Sequence, residues 1–282
     1  MTSTKAERIR MRYERRYAEL AGYASLDGSG TAFVGDSLVQ NARWSELLPR
    51  EPSRNFGVKS DTAHRMFERC EGVAQVAPAR IVVLIGTNDI SRGGSATVTA
   101  WIARCVEVWR DRMPDVSIAL LAVPPREPSL ADQVRALNHE LATYAAGHGL
   151  GFLDETAVLL GDEGGLDPRW ASDALHLNKA GYAQWMGRLR PRLRSLGIDV
   201  RPAGPPEALV LAVAQAIAAE EDYDWGDLGS AEQAERRHQA ACFLIASETA
   251  RVFARQQLDK RSRKPAAKDV APAAEPQVAE PA

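Results

Sequence analysis

The chain is poor in cysteine: it has 3 in 282 residues, at positions 70, 105 and 242. The number is odd and the spacing wide, so a disulfide scaffold is not expected. Each cysteine falls in a helix-like segment and reads as a buried free thiol in a reducing compartment. Long apolar runs are missing too, and none approaches a bilayer span. Charge of one sign is missing: 35 Lys and Arg stand against 37 Asp and Glu. That leaves no electrostatic footprint for nucleic acid. The opening stretch, MTSTKAERIRMRYERRYAEL, is charged throughout and lacks the apolar centre of a secretory signal. No internal repeat is visible, and no metal or cofactor is expected. Together these absences point to a soluble, cytoplasmic protein.

Apolar residues make up 45% of the chain, enough for one sizeable domain with an appendage. Five short runs read as strands: TAFVGD (31–36), SRNFG (53–57), RIVVLIG (80–86), VSIALLAV (116–123) and LGFLD (150–154). The third and fourth are apolar nearly throughout, as strands buried on both faces must be. Helical patterns lie between them. One covers 61–72, with Met66 and Phe67. The next, over 95–110, spaces Trp101, Cys105 and Trp109 four apart. The third, over 129–147, puts Leu130, Val134, Leu137, Leu141 and Tyr144 on one stripe, with Ser129 as N-cap and Gly149 as stop. This alternation predicts a three-layer α/β/α, flavodoxin-like sandwich around a five-stranded parallel sheet.

Residues 1–30 form an N-terminal helical extension that docks Met11, Tyr13 and Leu20. The sheet domain takes 31–200 and closes with a helix over 179–195, bent at Pro191. A linker, RPAGPPE, leads to a helical appendage over 201–258, made of helices at 206–221 and 230–258. Ser230 and Gln233 suggest a capping box at the start of the second. That appendage is a candidate surface for a protein partner or self-association. Residues 259–282 are rich in Pro, Ala and charge, a composition that predicts disorder.

Ligands of such sheets bind beyond the carboxyl ends of the strands. Four segments fall there: Ser37 after the first strand, NFGVKSDT (55–62) after the second, GTND (86–89) after the third, and SDALHLNKAGY (172–182) after the fifth. Each supplies a part that acyl transfer needs. A serine hydroxyl needs a base to take its proton, and His176 can be that base for Ser37. Asp173, three residues before it, can reach the other ring nitrogen and fix the tautomer. Asn88 offers an amide to a developing oxyanion, and the backbone N–H groups of Ser37 and of the 57–60 turn offer two more. Taken singly, Gly-Asp-Ser is a common turn, Asn88 a turn cap and Asp173 an N-cap. The four together, each at the same edge of the sheet, favour the chemical reading. Arg126 and Trp170 are candidate pocket residues. His64, His139, His148 and His238 read as structural.

These blocks resemble those of the SGNH, or GDSL, hydrolases: GDSL at 35–38, the Asn-Phe-Gly turn at 55–57, GTND, and DALHLNKAGY. The branch similar to platelet-activating-factor acetylhydrolase fits best, over about residues 31–195. The resemblance implies Ser37 as nucleophile, His176 as base, Asp173 as its partner and Asn88 as oxyanion donor. In that branch a second glycine of the turn supplies the backbone donor, and here Ser60 stands at its position. Ser60 N–H is therefore the expected donor, with Gly57 a weaker candidate. The Gly-x-Ser-x-Gly elbow of the alpha/beta-hydrolases is absent, since Val39 occupies its second glycine position. The implied activity is hydrolysis of a small-molecule acyl ester with a short, acetyl-like acyl group through an acyl-enzyme. An acyltransferase with the same triad, or a non-catalytic binding protein, are the alternatives.

Overall fold

The structure is a computed structural model. It describes residues 4–202, 204, 207–220, 225, 226, 228–237, 239, 240 and 244. The chain divides into two compact units, one up to residue 203 and one from Gly204 onward.

In the first unit, strands β1 (Thr31–Gly35), β2 (Ser53–Gly57), β3 (Arg80–Leu84), β4 (Ser117–Leu121) and β5 (Gly151–Leu153) form one sheet in the order β2-β1-β3-β4-β5. Every neighbouring pair is parallel. The helices are α1 (Lys5–Ala21), α2 (Ser37–Asn41), α3 (Trp44–Leu47), α4 (Ala63–Glu68), α5 (Cys70–Gln75), α6 (Thr87–Ser91), α7 (Val98–Arg112), α8 (Ala131–Gly147) and α9 (Lys179–Ser195).

Successive strand side chains point to opposite faces, so an all-apolar strand feeds two cores at once. Ile81 and Val83 of β3 join a core with Met66, Val73, Trp109 and Leu137. Val82 and Leu84 join the opposite core with Leu38, Trp44, Trp185 and Leu189. The expected three-layer α/β/α architecture with a five-stranded parallel sheet is what the chain forms.

Several local expectations change. The single helix expected over 61–72 is two, interrupted at Arg69 with φ −123 and ψ 10. Helix α8 begins after a 3-10 turn at Pro128–Leu130, and Leu130, not Ser129, is its cap residue. Its stop is as expected, with Gly149 at φ 65. Helix α9 continues through Pro191. Tyr13, Tyr17 and Leu20 of α1 pack against the first core, whereas Met11 is 53% exposed. Met11 lies two residues from Tyr13, about 200° around the helix. Helix α1 also reaches the edge strand. Arg16 donates to the carbonyls of Asn55 and Gly57, and Tyr23 Oη to that of Asn55.

In the second unit, α10 (Glu207–Glu220) buries Val210 and Ala214 in a small cluster with Ala240, against which Trp225 and Leu244 pack. A helical stretch starts at Ser230. Its cap bond joins Gly229 and Glu232, whose carboxylate accepts from Gly229 N–H, in place of the expected Ser230–Gln233 pair. The expected remainder of that helix (245–258), the disordered tail (259–282), Cys242 and His238 lie outside the described residues. Among the described residues, no helix is long and apolar enough to cross a membrane. Nor do three or more His, Cys, Asp or Glu side chains among them group as a metal site.

Candidate active site

The site forms where the loops after β1, β2 and β3 meet the segment before α9. Strand β1 ends at Gly35, paired with Leu84 of β3. A Cβ at Gly35 would lie 1.9 Å from the Leu84 carbonyl oxygen, so only glycine fits there. Asp36 then caps α2, accepting from Leu38 N–H at 2.9 Å. Ser37, the first residue of α2, is thereby fixed at the end of the strand. The residue is 4% exposed.

Asn55 organises the next turn. Its amide donates to the carbonyls of Val39, Gln40 and Ala42, and its oxygen accepts from Gly57 N–H at 2.9 Å. Gly57 is thus the packing glycine: a Cβ there would sit 2.1 Å from Gln40 N. Because its N–H is already taken, Gly57 is removed as a candidate donor. Ser60 adopts φ 65, the left-handed region that favours glycine. Among the described residues, neither Ser60 N–H nor Ser37 N–H has an acceptor.

Asn88 stands in the first turn of α6. Its amide donates one proton to the Asp61 carbonyl at 2.9 Å, which leaves the second free. Arg126 is 7% exposed and sits behind this turn. It donates to Thr87 O at 3.0 Å, Thr87 Oγ1 at 2.9 Å and Ser91 Oγ at 3.1 Å.

The last segment is a local construction. Ala171 and Leu177 form an antiparallel bridge, and Ser172 N–H donates to His176 O at 2.8 Å. Asn178 caps α9 through Gly181 N–H and staples the loop by donating to Arg169 O and Ala171 O. A Cβ at Gly181 would lie 2.2 Å from the Trp170 carbonyl. Tyr182 Oη donates to Leu38 O at 2.7 Å and ties α9 to the helix that carries Ser37. Each polar or small residue of HLNKAGY that this geometry explains is a fastener of that loop.

The loop presents His176 Nε2 at 2.9 Å from Ser37 Oγ. His176 Nδ1 lies 2.7 Å from Asp173 Oδ2. A carboxylate can only accept, so Nδ1 carries the proton and Nε2 offers its lone pair to the serine. Asp173 Oδ1 also accepts from the backbone N–H groups of Leu175 and His176. Partial burial pulls the Asp173 carboxyl upward, but these bonds, the His176 ring first, outweigh it and hold it at about 2. It is an anion at neutral pH.

Of the expected site residues, Ser37, His176 and Asp173 are joined by hydrogen bonds, Asn88 is bonded to the carbonyl of Asp61 next to Ser60, and Arg126 backs the turn that carries Asn88. Trp170 does not line the neighbouring space; it packs against the core that holds Trp185. A cavity of about 1000 Å³ opens beside Asp173, lined by Arg126, Glu127, Asp162, Glu163 and Arg169 among others. His64 packs edge-on to Trp101 and His148 stacks on Tyr144, both away from the site. Sequence reasoning missed the parts played by Asn55, Asp61 and Arg69. An asparagine inside a short strand and an Asp–Arg pair eight residues apart were the visible signals.

Residues 28–184 match the model of the GDSL-like lipase/acylhydrolase family, and the chain belongs to that family. Its fold is shared with a Streptococcus pneumonia protein provisionally described as a platelet activating factor, at TM-score 0.56 and 21% identity, over 65% of this chain and 91% of that one. A GDSL-like lipase from Bacteroides thetaiotaomicron is similar at TM-score 0.54 and 19% identity, over 65% and 98%. An acetylxylan esterase from Geobacillus stearothermophilus, solved as a catalytic mutant, is similar at TM-score 0.50 and 19% identity, over 64% and 99%. No curated protein matches the chain.

Proposed function

We propose that the chain is a cytoplasmic serine esterase that hydrolyses a short, acetyl-like acyl ester through an acyl-enzyme. The reading rests on one observation: Ser37, His176 and Asp173 are joined in an unbroken hydrogen-bonded line, 2.9 Å and 2.7 Å long in its two links. Ser37 Oγ attacks the ester carbonyl while His176 Nε2 takes its proton. Asp173 steadies the imidazolium that results. The carbonyl oxygen becomes an oxyanion and receives the N–H groups of Ser37 and Ser60 and the free amide proton of Asn88. His176 then passes its proton to the departing alcohol, and water repeats the sequence in reverse to free the acid.

Two alternatives are less well supported. A binding protein with no chemistry has no need of a serine held within hydrogen-bond distance of a correctly oriented imidazole. An acyltransferase must keep water from the acyl-enzyme, yet the Asp173 side chain is 55% exposed and that of His176 30%. Hydrolysis suits so open an approach. The loops that lead from β1 to α2 and from β2 to α4 are short, which supports a small acyl group.

The test is turnover of p-nitrophenyl esters from acetyl to octanoyl, with fluorophosphonate labelling in parallel. Acetyl should be the best substrate, and Ser37→Ala should abolish both turnover and labelling. Folded protein that neither labels nor turns over any of the series would end the esterase reading. A preference for octanoyl would end the short-chain part of it.

A further inference from the structure

We propose that the buried pair Arg69–Asp61 is a positioning device for the oxyanion hole, fixing all three donors against one another. The inference rests on the esterase reading of the site. Arg69 Nε donates to Asp61 Oδ2 at 2.8 Å, with the two side chains 8% and 0% exposed. Arg69 Nη2 donates to the Gly35 carbonyl at 3.0 Å, two residues before Ser37. The same carbonyl accepts from Val58 N–H at 2.9 Å. Asp61 directly follows Ser60, and its own carbonyl accepts from the Asn88 amide at 2.9 Å. One guanidinium therefore reaches the strand end that carries Ser37 and the turn that carries Ser60. Through Asp61, it also reaches the residue that orients Asn88.

The local structure is shaped for this. The helical pattern of 61–72 breaks at Arg69, and the break turns a charged side chain inward between α4 and α5. Burying a charge is costly unless it is paired and hydrogen-bonded. Ser60 is held at φ 65, against the preference of a residue with a side chain. The turn thus needs an external hold, and Arg69 supplies one through Asp61. A planar fork holds Nε and Nη2 side by side for two separate acceptors; an ammonium has three donors on one rotating nitrogen and fixes no such spacing.

The decisive experiment is a double-mutant cycle of Arg69→Lys with Asn88→Ala, read on p-nitrophenyl acetate. Arg69→Lys keeps the charge but loses the fork. It should lower kcat by about 10- to 100-fold with KM within about twofold, since misplacing donors by a fraction of an ångström weakens only the transition state. In the Asn88→Ala background the same change should cost a clearly smaller factor, since one of the three donors that Arg69 positions is already gone. A purely structural role for Arg69 would cost the same factor in both backgrounds, and that result would overturn the proposal. Asp61→Asn keeps the turn's backbone carbonyl and weakens the tie to Arg69. It should show the same non-additivity with a smaller loss, and it decides the matter if Arg69→Lys does not fold. Full activity in both variants would also overturn it. A wild-type chain inert to fluorophosphonate is a different failure, which removes the esterase reading itself.

Discussion

The two arms of the site are built in opposite ways. The arm that holds Ser37, Ser60 and Asn88, the first buried and the other two half-buried, is cross-braced by Asn55, Arg69 and Arg126, whose partners lie in separate elements of the fold. The arm that holds His176 and Asp173 is a surface loop fastened mainly to itself and to the start of α9. An oxyanion hole must be set before the reaction, because its benefit comes from dipoles that do not have to reorganise. A base must pass a proton to two successive oxygens and then admit water, which a partly open loop permits. On the proposed mechanism, the contrast follows the division of chemical labour.

Four variants probe that contrast. The largest effect belongs to the open arm: His176→Ala should lower kcat/KM roughly 10⁵-fold. Its melting temperature should stay close to wild type, since little packing is lost. A large fall in stability would show that the loop is not the autonomous piece described.

Asp36 comes next; it is fully buried and belongs to the braced arm. Its carboxyl is pushed up to about 7, chiefly by desolvation. The Leu38 N–H opposes this, while Asp61 and Asp89 add to it. The unfolded chain releases this proton near 3.8 and the folded chain near 7. Between those values the folded state holds more protons, so stability falls as pH rises from about 4 to 7 and is level above. Asp36→Asn keeps the acceptor for Leu38 and removes the penalty, on the order of 4 kcal/mol at pH 8. Urea unfolding of both proteins at pH 5 and pH 8 measures this; an unchanged gap between them would refute the sign.

Asn88→Ala should cost about 10²–10³ in kcat with little change in KM. Unlike the histidine variant, it should also lower stability, because the Asp61 carbonyl loses its donor. Equal stability would blur the distinction between the arms. Smallest is Tyr182→Phe, which removes a buried bond to the Leu38 carbonyl. About 1 kcal/mol of stability should be lost, with kcat falling severalfold if that bond couples the two arms.

The sequence was most legible where a physical rule forces a pattern. Strands β3 and β4 had to be apolar on both faces, and Val134, Leu137 and Leu141 of α8 had to repeat at helical spacing. The candidate chemical residues stood out because the acyl transfer proposed for this chain would demand a base, an anion and donors at one edge of the sheet. What escaped was long-range polar bonding. Nothing in the periodicity of 61–72 foretells that Arg69 turns inward to Asp61 and Gly35. Hydrophobic patterning records where apolar surface goes and is silent on where a buried charge finds its partner. Ser129 and Ser230 looked like caps for a similar reason. Capping preference is local, whereas α8 starts behind the 3-10 turn that Pro128 opens and the later stretch starts behind Gly229, whose N–H donates to the Glu232 carboxylate.

Helix α1 lies before residue 28, where the family match begins, yet it holds the outer rim of β2. A free strand edge is a template on which another chain can add a strand. Here the Asn55 and Gly57 carbonyls are already occupied by Arg16 and Tyr23. An incoming strand would have to displace a guanidinium and a phenol before its first ladder bond could form. The helix thus shields the sheet from edge-to-edge polymerisation. A chain trimmed to the family-matched segment would shed that shield and leave the strand beside the Ser60 turn adhesive.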